Sequence, residues 1–329
     1  MTRILVTGAA GFLGEHLVKE LQGAGYVVRA LVRKQSLTVS FPADVEVVVG
    51  DLLDARAMRA VTAGMAGVVH LAGKAHILDE KQSAALDFNG INVVGTRHIL
   101  EGAAAGGASH VVFASTVKVF GETTVGCVDE SRPPCPQTPY ARSKWAAEQL
   151  VMDYAKRTGF IAVSLRLPMV YGPTQKGNLF RMIAAIDQGR FPPLPHMNTT
   201  RSMLHVGNFV HATRLALHQP RNRQSAYVVT DGTPYEISEI YDIVRMGLGK
   251  TIPKWRMPLW MLKMGATCGD IIQTATGRSV PLNSSTLEKL IGSAWYSAAA
   301  IARDLGYCPS YRFHDAVPEM IRFYRASLR

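Results

Sequence analysis

The chain has 329 residues, 47% hydrophobic and 19% charged, with a formal net charge of +11 and four cysteines. That balance describes a globular chain able to bury one large α/β core with a smaller attachment, and it excludes a disordered, fibrous or disulfide-framed protein. The basic excess suits an anionic partner, but the lysines and arginines are dispersed and no basic run is interleaved with aromatics, so phosphate-bearing small molecules are expected and nucleic acid is not.

The first element is an apolar strand, Arg3 to Thr7, that runs into Gly8, Gly11 and Gly14 and then an amphipathic stretch from Glu15 to Leu21. Glycines at this spacing let a backbone approach a pyrophosphate at a helix N-terminus, where the amides around Phe12 and Leu13 and the helix dipole favour phosphate. A second strand, Val27 to Val32, ends in Arg33 and Lys34. An acid at this point would accept from the adenine ribose of NAD, whereas an arginine holds the additional phosphate of NADP. Arg33 and Lys34 therefore favour NADP(H) over NAD(H), the alternative being a solvated basic turn that leaves NAD usable.

The third strand, Val45 to Gly50, delivers Asp51 and Leu52, with Asp51 placed either to accept from the adenine amine or to cap a helix starting near Asp54. The fourth, Val68 to Ala72, leads through Leu71 and Ala72 to Gly73, where the dinucleotide would pass; His70 reads as a packed strand residue. A helix from Asn89 to Ala105, a strand from Val111 to Ser115, a helix from Tyr140 to Lys156 and a strand from Ala162 to Pro168 follow. The alternation predicts a Rossmann-type doubly wound parallel sheet.

Tyr140 and Lys144 lie one helical turn apart and share a face. A phenol of pKa ~10 is a poor proton carrier at neutral pH, and a neighbouring ammonium is expected to lower it. Tyr140 then exchanges a proton with a substrate oxygen, and Ser115 or Thr116, at the end of the fifth strand, orients that oxygen.

After Tyr171-Gly172-Pro173 the rhythm breaks into Gly and Pro punctuation, with helical patterns over Val206 to Leu217, Ile237 to Leu248 and His314 to Arg325. We divide the chain into a dinucleotide-binding domain, 1–170, and a mainly substrate-binding C-terminal lobe, 171–329, with segments near 200–230 returning to the first domain. No apolar run reaches the ~18–20 residues of a spanning helix, so no integral membrane span is expected. Met257 to Ala266, interrupted by Lys263, reads as a buried or surface-lying helix. The chain enters its first strand with no charged leader, and Cys127, Cys135, Cys268 and Cys308 lack metal-ligand spacing. A cytoplasmic, metal-free protein is the expectation.

Five motifs taken in order, Thr7 to Gly14, Asn92-Val93-Val94-Gly95-Thr96, Ser115 to Gly121, Tyr140-Ala141-Arg142-Ser143-Lys144 and Leu165 to Pro173, resemble the extended short-chain dehydrogenase/reductase family, in its NAD-dependent epimerase/dehydratase group. The resemblance implies Thr116, Tyr140 and Lys144 as the catalytic set, and Asn92 and Pro168 on the cofactor side. Lys176 to Phe180 and Thr200 to Val210 look like the segments by which relatives hold a UDP-sugar, with Arg201 on the diphosphate and Asn178 near it; a surface ion pair and a helix cap are the respective alternatives. His205 and His211 read as structural. Dehydratases of the group carry an Asp-Glu pair after the catalytic threonine, where this chain has Val117 and Lys118, so dehydration is not expected and Lys118 becomes a candidate substrate contact. Epimerases often carry asparagine at the position of Met169.

Arg33 and the Pro168 to Pro173 run look more like bacterial reductases of UDP-4-keto-6-deoxy-N-acetylhexosamine. These make UDP-N-acetylquinovosamine or its 4-epimer for O-antigen and other surface polysaccharide. The expected activity is that 4-ketoreduction; a UDP-hexose 4-epimerase with tightly bound NAD and a non-catalytic dinucleotide sensor are the alternatives. The family also implies a homodimer through the Asn89 to Ala105 and Tyr140 to Lys156 helices.

Overall fold

The computed structural model describes residues 2–33, 41–74, 88–175, 177–219, 225–277, 280 and 282–328. Lys34, one of the expected cofactor contacts, and Lys176 lie outside them. In chain order the first half comprises β1 (Arg3–Thr7), α1 (Phe12–Gly23), β2 (Val27–Val32), β3 (Glu46–Val49), α2 (Ala55–Thr62), β4 (Gly67–His70), α3 (Gly95–Ala105), β5 (His110–Thr116), β6 (Cys127–Val128), α4 (Pro139–Thr158), β7 (Ile161–Leu167) and β8 (Met169–Tyr171). The second half adds α5 (Asn178–Asp187), β9 (Thr200–Arg201), β10 (Met203–His205), α6 (Val206–Leu217), β11 (Ser225–Val228), β12 (Tyr235–Glu236), α7 (Ile237–Gly247), α8 (Leu259–Thr276), α9 (Ser284–Ile291), β13 (Trp295–Tyr296), α10 (Ala299–Leu305) and α11 (Phe313–Ala326).

Seven strands form one parallel sheet in the order β11-β7-β5-β4-β1-β2-β3. The inner strands are rich in apolar residues because both faces are covered, which is the parallel-sheet signature, whereas β3 at the edge leaves Val47 and Val49 exposed. Within β1, Ile4 and Val6 join Leu17, Val18, Leu21, Phe209 and Ala212 on the face covered by α1 and α6. Leu5 turns the other way, joining Met58, Ile99, Ala147 and Val151 beneath α2, α3 and α4. The strand order reverses between β1 and β4, and the crevice outside the carboxyl ends there is where ligands of such sheets bind.

A third core gathers Tyr171, Ile183, Met203, Tyr235, Tyr241, Val244, Phe313 and Ile321 from the later elements. Of three two-stranded ribbons, β8 with β10 and β9 with β12 contribute Tyr171, Met203 and Tyr235 to it, whereas β6 with β13 buries Val128 and Tyr296 in a separate cluster with Val119, Phe120 and Val228.

Two elements differ from their sequence expectations. The helix expected from Asn89 opens with a π-helical turn, Gly90–Val94, before the α-helical register starts at Gly95. The apolar segment expected to end at Ala266 continues as α8 to Thr276 and stops at Gly277, whose φ of +67° ends the helix in a left-handed cap.

Candidate active site

The glycine turn shows what it was shaped for. Gly8 has φ +68°, and a Cβ on it would lie 2.8 Å from the Ala72 nitrogen, so only glycine lets the β1 end meet the β4 end this closely. A Cβ on Gly14 would lie 2.3 Å from the Gly8 carbonyl oxygen, which pins α1 to the turn. Gly11 occupies the N-cap position of α1 and offers no capping side chain. The first-turn amides of Phe12, Leu13 and Gly14 are thus the donors a diphosphate would take, and the cradle fits a dinucleotide.

Beside it, Gly50 N–H donates to the Val32 carbonyl (3.0 Å), so the chain positions that follow, Arg33 and Asp51, leave adjacent strand ends. Both are exposed. The cap of α2 is Asp54, not Asp51; Asp51 instead accepts from Leu53 N–H (3.0 Å) through Oδ1 in a tight turn. Glu46, at the other end of β3, is committed to Arg29 (2.9 Å) and Arg3 (3.3 Å). Leu52 packs against Gly95, where a Cβ would come within 2.9 Å of it.

The catalytic helix is placed by its cap. Thr138 accepts from Ala141 N–H (3.2 Å) and Pro139 fills the first helical position, so Tyr140 falls in the first turn of α4. Its hydroxyl is hydrogen-bonded to that of Thr116, which ends β5, and its ring meets Phe88 edge-on with centroids 6.1 Å apart. Burial pushes the Tyr140 phenol up to about 12; the Thr116 hydrogen bond opposes this and the Glu122 carboxylate adds to it. The expected lowering by Lys144 is therefore not what the structure shows, because burial outweighs the charges around the phenol. Lys144 itself is buried over the Phe113 ring, 4.2 Å from its centroid, and burial brings its ammonium down to about 8 against the attraction of Glu148.

Lys144 also marks how close the two halves of the site lie. A Cβ built on Gly73 would fall 3.8 Å from its Nζ and 3.0 Å from Asn92 Oδ1, so the loop after β4 is wedged between the glycine turn and the catalytic helix. Asn92 sits in the π-helical turn, accepts from Lys74 N–H (2.7 Å), and donates to the Lys74 carbonyl (3.1 Å) and Ser143 Oγ (2.9 Å). Ser143 donates in turn to the Tyr140 carbonyl (2.8 Å). Ser115 is buried beside Thr116, and its Oγ has no hydrogen-bond partner among the described residues.

A buried relay that sequence reasoning missed runs beneath these groups. Thr96 donates to the Asn92 carbonyl (2.6 Å), which leaves its oxygen to accept from His70 Nε2 (2.9 Å); His70 Nδ1 then accepts from Thr7 (2.7 Å), whose oxygen receives Ala72 N–H (3.1 Å). Every donor is used once in this tautomer. Burial, reinforced by the Lys144 charge, lowers His70 to about 3, so the ring is neutral. No periodicity signals such a relay; the clue is three polar residues, Thr7 and His70 at strand ends and Thr96 in the first turn of α3.

The expected substrate contacts are dispersed. Lys118 pairs with Glu122 (2.7 Å) in the turn after Thr116. Asn178 is exposed in the first turn of α5, where Gly177 rather than Asn178 takes the cap position. Arg201 is partly buried rather than at the surface: its guanidinium donates to the carbonyls of Gly292 (3.1 Å) and Leu290 (3.5 Å), and burial works against its charge. Pro168 links β7 to β8. His205 caps α6 by accepting from Gly207 N–H (3.1 Å) and stacks near Tyr311. All four cysteines are free, and no cluster of metal-ligating side chains occurs among the described residues.

A glycine turn at a strand-order reversal, facing a Tyr-Lys pair on a capped helix, defines a dinucleotide-binding α/β protein equipped for proton transfer. The chain belongs to the NAD dependent epimerase/dehydratase family, whose model matches residues 4–230. It is 25% identical to an N-acetyl-α-D-glucosaminyl-diphospho-ditrans,octacis-undecaprenol 4-epimerase of Escherichia coli, over 97% of this chain and 94% of that protein. A UDP-glucose 4-epimerase of Vibrio cholerae is 30% identical over 83% of this chain and 85% of its own. Among solved structures, the UDP-glucose 4-epimerase of Thermus thermophilus in complex with NAD superposes with a TM-score of 0.75 at 26% identity, covering 99% of this chain and all of the other.

Proposed function

We propose that the protein is a nucleotide-sugar oxidoreductase that reduces the 4-keto group of a UDP-4-keto-6-deoxy-N-acetylhexosamine, with NADPH preferred to NADH. The observation that supports it best is the Tyr140 hydroxyl, held on Thr116 as a neutral phenol with Lys144 beside Gly73. Reduction of a ketone needs a proton at its oxygen, and a phenol with a pKa of about 12 keeps its proton until alkoxide charge develops to take it. Thr116 orients that oxygen through the same hydrogen-bond geometry it now offers Tyr140.

A bound nicotinamide dinucleotide supplies the hydride. Gly8, Gly11 and the first turn of α1 would hold its diphosphate, the second Asp51 oxygen its adenine amine, and Arg33 the additional phosphate. Arg201 would grip the diphosphate of the sugar, exchanging carbonyl partners for charged ones. Val117 and the paired Lys118 leave no acid and base for water elimination next to Thr116.

The relatives in Vibrio cholerae and Escherichia coli favour a second reading, 4-epimerisation of a hexose carried on a nucleoside diphosphate or a polyprenyl diphosphate. The two separate on incubation with UDP-4-keto-6-deoxy-N-acetylglucosamine and either NADPH or NADH. Stoichiometric loss of reduced nicotinamide absorbance, with UDP-N-acetylquinovosamine or its 4-epimer identified by NMR, is the expected result. Interconversion of UDP-hexoses without added cofactor would replace the reductase with the epimerase, and NADPH binding without turnover on any keto sugar would leave a sensor.

A further inference from the structure

The helix α8 carries apolar side chains on the wrong side for a core. Its inward face, Leu262, Ala266 and Gly269, packs on the segment leading into α9, and it packs tightly: a Cβ on Gly269 would lie 1.9 Å from the Leu282 carbonyl oxygen. Asp270 and Gln273 on the same side bond Ser284 and Asn283. Directly opposite, Trp260, Met264, Cys268, Ile271 and Ala275 recur at intervals of three and four residues, a single outward stripe, with Met261 and Ile272 along its edge. Trp260 is 62% exposed, Met264 59% and Ile271 63%. The approach to the helix exposes Ile252 and Trp255 as well.

Scattered surface apolar residues need no explanation, but a stripe along a whole 18-residue helix marks a contact. The charges nearby choose among occupants. From 248 to 277 the chain has Lys250, Lys254, Arg256 and Lys263 against one acid, Asp270, which is turned inward. Lys250 and Arg256 are paired with Asp187 and Asp242, leaving Lys263 exposed on the helix and Lys254 exposed on the approach to it, in a protein whose net charge is +11. No helix among the described residues is long and apolar enough to cross a membrane. An outward apolar stripe with indole side chains at its start, flanked by ammonium groups and anchored to the protein by its other face, is the pattern of a helix lying in a bilayer surface.

We infer that α8 docks the protein on an anionic lipid bilayer, with Trp260, Met264 and Ile271 entering the acyl boundary and Lys254 and Lys263 meeting the headgroups. The helix next to it, α9, ends at Gly292, whose carbonyl holds Arg201, so docking would set the sugar end of the site one helix from the lipid surface. None of these side chains belongs to the catalytic or dinucleotide-binding set, and the inference stands whether the enzyme reduces or epimerises.

The test is flotation of the full chain with vesicles of phosphatidylcholine alone and of phosphatidylcholine with phosphatidylglycerol. The protein should float with the anionic vesicles, with a blue shift of tryptophan emission, and should be released as ionic strength rises. Met264→Glu with Ile271→Glu should weaken binding roughly tenfold or more, and Lys254→Glu with Lys263→Glu by a similar factor, with unchanged circular dichroism and thermal midpoint. Absence of flotation at low salt, binding that the variants do not weaken, or a dimer in solution that Met264→Glu with Ile271→Glu dissolves, would overturn it, the last assigning the stripe to a second copy of the chain.

Discussion

At the scale of single residues, two buried groups with unusual acidities divide the work. Tyr140 is a phenol kept protonated by burial, and its task is to give that proton up only when charge builds opposite it. Tyr140→Phe should keep the fold and dinucleotide binding while lowering turnover by roughly 100- to 10,000-fold, as single-turnover rates and fluorescence titration would show. His70 has the opposite task, to remain neutral between Thr7 and Thr96. Its acidity in the folded chain, about 3 against an ordinary 6.5, fixes the sign of a pH effect: the stability it contributes is complete above 6.5 and drains away as pH falls from there toward 3. Urea titrations between pH 7 and 5 should show a loss approaching about 1.4 kcal/mol per pH unit from this group, and His70→Gln should flatten the slope.

Among elements, the glycine turn and the helix it feeds give a contrast within a few residues. Gly14→Ala places a methyl group against the Gly8 carbonyl and should cost at least about 1–3 kcal/mol and weaken dinucleotide binding, whereas Gly23→Ala, at the end of the same helix with nothing within 4 Å of its Cβ, should stabilise by about 0.4–1 kcal/mol. Denaturant midpoints of the two variants should move in opposite directions. The same elements explain how far the sequence could be read. Strands β1, β2, β4, β5 and β7 stand out as short runs rich in apolar residues because both their faces are largely buried, and the Thr116, Tyr140 and Lys144 positions follow from strand ends and helical spacing. The π-helical turn at Gly90–Val94 does not stand out, since its extra residue is fixed by Asn92 bonding Lys74 and Ser143 across the fold rather than by local propensity. Nor do the partners of Arg201, two carbonyls about ninety residues away in sequence. Short polar contacts between distant segments leave no period behind them.

Across the whole molecule, Asn208 and Asp231 fasten the sheet side to the C-terminal core. Asn208, fully buried on α6, donates to Asp231 (2.7 Å) and the Tyr311 carbonyl (2.7 Å) and accepts from Ser310 and Tyr311 N–H (2.9 and 3.1 Å). Asp231 also accepts from the Tyr171 hydroxyl (2.7 Å) and His205 N–H (2.8 Å), and burial raises it to about 6. Asn208→Ala strands several of these groups at once and should cost on the order of 3 kcal/mol, with protease cleavage appearing first near Ser310.

The order of strands across the large sheet carries a consequence for biosynthesis. Its outermost member, Ser225–Val228, is made some sixty residues after the neighbour it covers, Ile161–Leu167, which is buried along its length and apolar but for Ser164 and Arg166. While the ribosome traverses that interval, the nascent polypeptide presents a sticky ledge of unsatisfied amides and carbonyls. A chain released after residue 219 should therefore precipitate or be captured by chaperones, whereas one released after residue 329 should not, a difference that sedimentation of the two translation products would reveal.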